Sequence, residues 1–229
     1  MTNDNGKMKR FYLWGDSIGK GVIFSRERNR YCLAPERCER RLQEAGVALE
    51  SHARMGATIG QGYADFAASR TEPGSVAVIE FGGNDCDLDW SEVAKNPEVF
   101  HDGRTPLAEF QQMLRLFARD ARARGMRPVM VLPPPLHSQR YFRWISRGRD
   151  AEAVMRYLGD VEHIGRWHDS YVETIRAAAE ETGSGLLDLH TPFVKARDFL
   201  SLICEDGIHP SAAGQELMAR VALSRLAAA

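Results

Sequence analysis

The sequence predicts an α/β protein in which helices cover both faces of a central parallel sheet of about five strands. Short apolar runs recur along the chain and several are nearly continuous, as in strands that are buried on both faces. The intervals between these runs are long enough for a helix and carry helical patterns. No internal repeat or low-complexity segment interrupts the alternation. The expected architecture is therefore a three-layer α/β/α sandwich.

The elements of this sandwich can be placed along the chain. Five apolar runs are the candidate strands, at residues 11–14, 47–49, 76–81, 129–132 and 186–189. The clearest helix follows Thr105 and Pro106, which suit a cap and the first helical position. Its apolar face contains Leu107, Phe110, Met113, Leu114 and Phe117, and Gly125 is expected to end it. Another helix is expected near residues 169–181.

A long segment separates the fourth candidate strand from that last helix. Three consecutive prolines end the strand, and residues 136–167 follow with many arginine and aromatic side chains. Such a segment could cap a site, but its acidic residues balance the positive charge, which favours a solvated amphipathic helical insertion. We therefore expect one domain over residues 1–229, with a helical insertion at about 136–167.

Composition excludes several classes of partner. The chain has 30 Lys and Arg against 31 Asp and Glu, so we expect no basic surface for nucleic acid or an anionic membrane.

The four cysteines of the chain lie far apart without a C-x-x-C pair, which predicts reduced thiols and no zinc or dithiol site. The first ten residues are polar and the next apolar run is too short for a signal peptide or a membrane span. These features predict a cytoplasmic protein.

The first candidate for chemistry, Gly15-Asp16-Ser17-Ile18-Gly19, lies where the first strand ends. In open parallel sheets, binding sites collect beyond the carboxyl ends of the strands. The glycines allow a tight turn that exposes the serine, and a following helical turn would direct backbone N–H groups at the site. A Ser/Asp turn that caps a helix explains the same residues equally well.

The second candidate is Asp206-Gly207-Ile208-His209-Pro210, near the C-terminus. An aspartate three residues before a histidine can reach Nδ1 and fix the imidazole tautomer. The glycine and a proline that opens the next helix would hold this loop, and the other ring nitrogen would face the serine. The alternative is a helix-capping turn with a surface histidine.

The third candidate is Gly82-Gly83-Asn84-Asp85, directly after the third strand. The side-chain amide of Asn84 could donate to an oxyanion, and Gly56, after the second strand, could add a backbone N–H. Taken alone, these residues are more typical of an ordinary turn.

Together the segments supply a nucleophile, a base with its orienting carboxylate, and oxyanion donors, all at strand ends or on the final loop. A serine hydroxyl is a poor nucleophile until a base removes its proton. The tetrahedral intermediate of acyl transfer also needs preorganised donors. The combination therefore indicates acyl transfer more strongly than any single motif does.

These residues resemble the successive sequence blocks of the SGNH/GDSL hydrolases. The blocks are Gly15-Asp16-Ser17-Ile18, Gly56, Gly82-Gly83-Asn84-Asp85 and Asp206-x-x-His209. They occur in the family's order over residues 15–209, and Ile18 replaces the eponymous leucine. The resemblance implies a flavodoxin-like α/β/α fold and ester hydrolysis without a metal or other cofactor.

The resemblance also implies a role for each matching residue. It makes Ser17 the nucleophile, His209 the base and Asp206 the residue that orients the base. The oxyanion hole would consist of Ser17, Gly56 and Asn84. Structural roles in loops are implied for the two remaining acidic residues of the motifs, Asp16 and Asp85.

Other binding motifs fail on spacing. A P-loop is excluded because Lys20 follows the first glycine at the wrong distance. A calcium loop that begins at Asp85 is excluded because Trp90 and Asn96 occupy the positions that require Gly and Glu. Without paired metal-ligand spacing, six histidines are interpreted as surface or packing residues: His52, His101, His137, His163, His168 and His190.

The sequence thus predicts an enzyme that cleaves small carboxylic esters through an acyl-enzyme intermediate. The alternatives are a carbohydrate O-acetyl esterase with the same mechanism and a catalytically inactive binding module of the same fold. Thioesters and longer lipids rank behind these as substrates. The aromatic side chains of residues 136–167 could stack on sugar rings, which slightly favours the carbohydrate alternative. The sequence leaves the natural ester and the oligomeric state open.

Overall fold

The structure, a computed structural model, describes residues 10–227 of the chain. The strands are β1 (Arg10–Gly15), β2 (Val22–Ser25), β3 (Arg30–Leu33), β4 (Ala48–Ser51), β5 (Val76–Glu80), β6 (Arg127–Leu132) and β7 (Gly185–Asp188). The helices are α1 (Cys38–Glu44), α2 (Ile59–Ala68), α3 (Trp90–Lys95), α4 (Leu107–Ala123), α5 (Ser138–Ile145), α6 (Ala151–Leu158), α7 (His163–Thr182), α8 (His190–Val194), α9 (Phe199–Leu202) and α10 (Ala212–Ala227). Among these helices none is long and apolar enough to cross a membrane. The prediction that no signal peptide is present concerns mainly residues 1–9, which lie outside the described part.

Five strands form one parallel sheet in the order β4-β1-β5-β6-β7. They are the strands that the apolar runs predicted, with ends that differ by at most two residues. Helices pack on both faces of the sheet, so the predicted three-layer α/β/α sandwich is confirmed. Because β1 pairs directly with β4 and β5, the loops that follow these three strands emerge side by side.

Each face of the sheet has its own apolar core. Adjacent residues of β6 point to opposite faces, so that Met130 packs in one core and Val131 in the other. The first core is rich in aromatic rings, such as Trp14 of β1 against Phe66 of α2, with centroids 5.1 Å apart. Burial of side chains of this size stabilises the fold by roughly 1.5–3 kcal/mol each.

A third apolar cluster lies in the segment that was predicted to be a helical insertion. Helices α5 and α6 fall within this segment, as do the first residues of α7. The inner faces of α5 and α6 pack against Trp90 of α3 through Tyr141, Ile145, Val154 and Leu158, all buried. The inserted helices are therefore solvated on one side only, and their buried side forms a wall beside the sheet.

The hairpin formed by β2 and β3 was not among the elements predicted from the sequence. The two strands pair antiparallel from Val22–Leu33 to Ser25–Arg30, and Asn29 adopts a left-handed conformation (φ 45°) in the connection. Charged residues dominate the turn and each strand has only four residues, so the apolar signal is weak. The hairpin packs on α5, where Phe24 and Trp144 lie with ring centroids 4.7 Å apart.

Two predicted helix starts differ from the structure. Thr105 does not cap α4, because its buried hydroxyl donates to Asp85 Oδ1 at 2.7 Å and the helix begins at Leu107. Pro210 does not open α10, which begins at Ala212. It lies instead in an isolated bridge with Ile203. The predicted end of α4 at Gly125 agrees with the structure.

Glu80, at the end of β5, holds the turn that follows β1. Its side chain is 2% exposed, and Oε2 accepts backbone N–H bonds from Asp16 (3.1 Å) and Gly19 (3.0 Å). A Cβ atom at Gly15 or Gly19 would lie 2.6 or 2.7 Å from this oxygen, so both positions need glycine. Burial, and next the carboxylate of Asp16, raise the pKa of Glu80 well above its ordinary value.

The raised pKa of Glu80 predicts a pH-dependent stability. The Glu80 carboxyl group binds its proton more tightly in the folded state than in the unfolded state. Its contribution to the free energy of unfolding is therefore complete below the ordinary pKa of 4.5 and is lost as the pH rises through the pKa of the folded state. Glu80→Gln keeps an acceptor for both N–H groups and removes the ionisation. Between pH 5 and 9, the wild type should lose free energy of unfolding relative to Glu80→Gln, by up to about 1.4 kcal/mol per pH unit.

Urea denaturation at a series of pH values measures this difference. The exposed Glu98 provides the matched control, and Glu98→Gln should follow the wild-type profile. Parallel curves for the wild type and Glu80→Gln would show that Glu80 is ionised in the folded protein.

Candidate active site

Ser17 lies in the turn at the carboxyl end of β1. The turn is closed by backbone hydrogen bonds, among them Lys20 N–H to Asp16 O and Val22 N–H to Ser17 O. Residues 17–20 form turns and lead into the hairpin, so the helical turn that was expected here is not extended into an α-helix. Ser17 Oγ lies 2.9 Å from Nε2 of His209, and both residues are buried.

His209 and Asp206 lie on the loop that precedes α10. His209 Nδ1 is 2.6 Å from Asp206 Oδ2, while Asp206 Oδ1 accepts the backbone N–H groups of Ile208 and His209, each at 3.1 Å. With this aspartate ionised, Nδ1 carries the imidazole proton and Nε2 is left as the acceptor for the serine hydroxyl. The three side chains therefore form one continuous chain of short contacts.

Gly207 fixes the position of this loop. It has φ 82°, and a Cβ atom there would collide with the backbone N of Tyr141 and lie 2.8 Å from His137 O. The backbone N–H of His137 donates to Gly207 O at 2.7 Å. The loop is thus attached to the start of α5, and a side chain at position 207 would push Asp206 and His209 away.

Asn84 and Gly56 line the same cavity as His209. Asn84 Nδ2 donates to Asp16 Oδ2 at 3.1 Å, while Asp16 Oδ1 accepts the N–H of Ile18 at 2.8 Å. Gly56 has φ 78°, and together with Ser17 and Asn84 it lines the same cavity. The structure therefore brings all five residues of the predicted site to one edge of the sheet.

Two buried aspartates connect these loops. Asp85 accepts the N–H groups of Ile59 (2.9 Å) and Gly82 (3.1 Å) and the hydroxyl of Thr105, and so joins three segments of the chain. Burial is the main cause of the raised pKa of both aspartates, and it brings the pKa of Asp16 to about 6. Both side chains thus have contacts within the loops, in keeping with the structural roles that the resemblance implied.

A cavity of about 940 Å³ opens above Ser17. Helices α5 to α7 contribute much of its wall, which consists largely of apolar and aromatic side chains. These include Leu136, Trp144, Ile145, Leu158, Ile164 and Trp167. Polar groups are fewer, among them Arg104, Arg149 and Asp87. The cavity can hold an apolar group considerably larger than acetyl.

Tyr31 is a residue of the site that was not predicted from the sequence. Its ring lies 5.1 Å from that of His209, and burial together with the Asp206 carboxylate raises the pKa of the phenol. Tyr31 therefore stays neutral and shields the imidazole from solvent. Tyr31 belongs to the hairpin, whose short apolar pattern did not predict strands. By contrast, the aromatic content of residues 136–167 did indicate that side chains such as Trp144 could lie at the site.

The alternating aspartates after Asp85 have structural contacts. Asp87 Oδ1 accepts the indole N–H of Trp90 at 2.8 Å, and Asp89 caps α3 through the N–H groups of Ser91 and Glu92. All four cysteines are free, as predicted.

Comparisons with known proteins agree with this fold. No curated protein sequence matches the chain. Its structure is similar to the lipase/acylhydrolase from Enterococcus faecalis, with a TM-score of 0.65, 18% identity and coverage of 96% of this chain and 95% of that chain. It is also similar to a member of the lipolytic protein G-D-S-L family from Veillonella parvula, with a TM-score of 0.63, 14% identity and coverage of 94% of this chain and 97% of that chain. A variant of an acetyl-xylooligosaccharide esterase from Geobacillus stearmophilus has a TM-score of 0.62 and 18% identity, with coverage of 95% of this chain and 94% of that chain.

Structural neighbours of such low identity establish the fold, and a sequence comparison establishes the family. The model of the GDSL-like lipase/acylhydrolase family matches residues 13–217. This range includes every block of the motif series, from the turn after β1 to the loop before α10. The chain therefore belongs to the GDSL-like lipase/acylhydrolase family, as its sequence motifs predicted.

Proposed function

We propose that this protein is a serine ester hydrolase that cleaves small carboxylic esters. The observation that carries the proposal is the chain of contacts from Ser17 Oγ through His209 to Asp206, at 2.9 and 2.6 Å. It lies at the base of a cavity whose walls are largely apolar. Membership of a hydrolase family supports the same reaction class.

The proposed mechanism has two similar steps. His209 Nε2 takes the proton of Ser17 Oγ, the oxygen attacks the ester carbonyl, and the imidazolium then protonates the departing alcohol. Water repeats the sequence on the acyl-enzyme and releases the acid. The ionised Asp206 stabilises the imidazolium in both steps and holds it towards the serine.

The tetrahedral intermediate would be stabilised by three N–H donors, the backbone groups of Ser17 and Gly56 and the side chain of Asn84. Asp16 acts in this scheme as a positioning residue. Because its carboxylate accepts one N–H of the Asn84 amide, the second N–H is oriented and can face the developing oxyanion.

The cavity favours an ester with an apolar acyl or alcohol group. Each methylene that moves from water into an apolar cavity contributes about 0.8 kcal/mol. A second candidate substrate is an O-acetylated carbohydrate. The aromatic rings of Tyr31, Trp144 and Trp167 in the cavity wall favour it, since such rings can stack on sugars. One structural neighbour is an acetyl-xylooligosaccharide esterase.

The nucleophile and the base can be tested by substitution. Ser17→Ala and His209→Ala should each lower kcat for p-nitrophenyl butyrate by about 10⁴ to 10⁶, because the serine is not activated without the imidazole. Asp206→Ala should lower kcat by less than these two substitutions, but by more than the factor on the order of 10² to 10³ that is expected for loss of the Asn84 donor. Wild-type activity should persist in EDTA, since none of the proposed steps uses a metal ion. The exposed Ser224 provides a control, and Ser224→Ala should keep wild-type kinetics. Near-wild-type activity of purified, folded His209→Ala would refute the mechanism.

The oxyanion donor gives a separate prediction. Asn84→Ala should lower kcat by on the order of 10² to 10³ with little change in KM, because the donor acts mainly in the transition state. Asn96, exposed at the end of α3, supplies the matched control in Asn96→Ala. A rise in KM at unchanged kcat would instead assign Asn84 to ground-state binding.

The two substrate candidates differ in their dependence on the acyl chain. If the apolar cavity receives the acyl group, kcat/KM should rise from p-nitrophenyl acetate to butyrate by roughly fourfold per methylene. Initial rates on the acetate, butyrate and octanoate esters measure this trend. Acetylated xylo-oligosaccharides should be poorer substrates than the butyrate ester. The reverse order, with acetylated sugar preferred, would favour the carbohydrate esterase.

A further inference from the structure

Three potential metal ligands meet at the end of the sheet beyond β7. His168 and Asp169 are adjacent residues of α7, and His190 is the first residue of α8. Asp169 Oδ1 lies 3.3 Å from His190 Nε2 and 3.8 Å from His168 Nδ1. The ligand atoms of all three side chains lie within 4.8 Å of one another.

The buried histidine of this cluster lacks a partner for one ring nitrogen. The His168 side chain is only 5% exposed, and its Nδ1 has no hydrogen bond within the described residues. A buried polar atom of this kind normally has a partner. The atom nearest to it in the cluster is the Asp169 carboxylate oxygen, which also contacts His190.

The Asp169 carboxylate lies between the two histidines of the cluster. The ion pairs found for Asp169 among residues 10–227 involve only these two histidines, with no arginine or lysine. Its carboxylate is half exposed, so an ion can reach the cluster from solvent.

We propose that His168, Asp169 and His190 bind one divalent first-row transition metal ion, with Zn²⁺ as the best fit. Two imidazole nitrogens and a carboxylate oxygen are common zinc ligands, and water can complete a tetrahedron. With metal–ligand bonds of about 2.0–2.1 Å, tetrahedral ligand atoms lie roughly 3.4 Å apart. The observed separations of 3.3 and 3.8 Å from the carboxylate oxygen are close to that value.

The local fold holds His190 in place for this role. The Asp188 carboxylate, at the end of β7, accepts the backbone N–H of Thr191 at 2.8 Å and its hydroxyl at 2.7 Å. These bonds fix the first turn of α8 and therefore the start of the His190 side chain. A bound ion would connect this turn to α7.

Such a connection reaches the wall of the substrate cavity. His168 lines the cavity above Ser17, and its neighbour Trp167 does so as well. The ion would lie behind this wall, on a face that the proposed ester hydrolysis does not use. We assign it a stabilising role and no part in the reaction.

The test is metal binding to the full-length protein after treatment with a chelator and its removal. Isothermal titration with Zn²⁺ should give one equivalent bound, and Tm should rise by about 5 °C when the free ion is at 100 times Kd. Co²⁺ should produce the visible absorption of a four-coordinate site. Ca²⁺ and Mg²⁺, which prefer oxygen ligands, should have no such effect.

Variants locate the site. His190→Ala and Asp169→Asn should each weaken Zn²⁺ binding at least tenfold and remove the Co²⁺ spectrum. His101→Ala, a histidine outside the cluster, should bind as the wild type does. His209→Ala should also retain the metal site, which would show that this site is separate from the chain of contacts between Ser17, His209 and Asp206. The proposal is overturned if the wild type shows no saturable binding, or if binding persists in His190→Ala and Asp169→Asn.

Discussion

Buried carboxylates hold together the loops that carry the candidate active site. Glu80, Asp16 and Asp85 each accept backbone N–H groups from segments that follow a strand, and in this way they set the positions of Ser17 and Asn84. Loop N–H groups at the edge of a parallel sheet have no partner within the sheet, so they need acceptors from side chains. Burying these carboxyl groups raises their pKa, so the folded loops hold protons at a pH where the same groups would be ionised in the unfolded chain.

The same edge of the sheet receives a second support from elements outside the sandwich. The loop with Asp206 and His209 is attached through Gly207 to the start of α5. On the other side, Trp144 of α5 contacts the hairpin that carries Tyr31. The segment after β6 therefore does more than line the cavity, because its first helix also contacts the loop that carries His209. A change in the packing of α5 would shift His209 as well as the cavity wall.

The two proposals concern different faces of this arrangement and different kinds of chemistry. In the first, a fully buried aspartate orients a histidine towards a hydroxyl, and the cavity supplies an apolar environment for the ester. In the second, a half-exposed aspartate lies between two histidines, and the three side chains together offer the ligand atoms of a metal site. A His–Asp contact thus acquires its role from burial and from the third group that it faces.

The sequence by itself determined the α/β/α fold, its five sheet strands and the family, because apolar periodicity and short motifs are local properties of the chain. It also named Ser17, Gly56, Asn84, Asp206 and His209 as one site. The first three follow strands whose carboxyl ends share an edge, and the order of the motifs resembles that of a known family. Only the tertiary structure decided the hairpin and the position of Tyr31, the bond that draws Thr105 away from α4, and the meeting of His168 with His190. These features depend on contacts between residues that are distant in sequence, and no local pattern encodes such contacts.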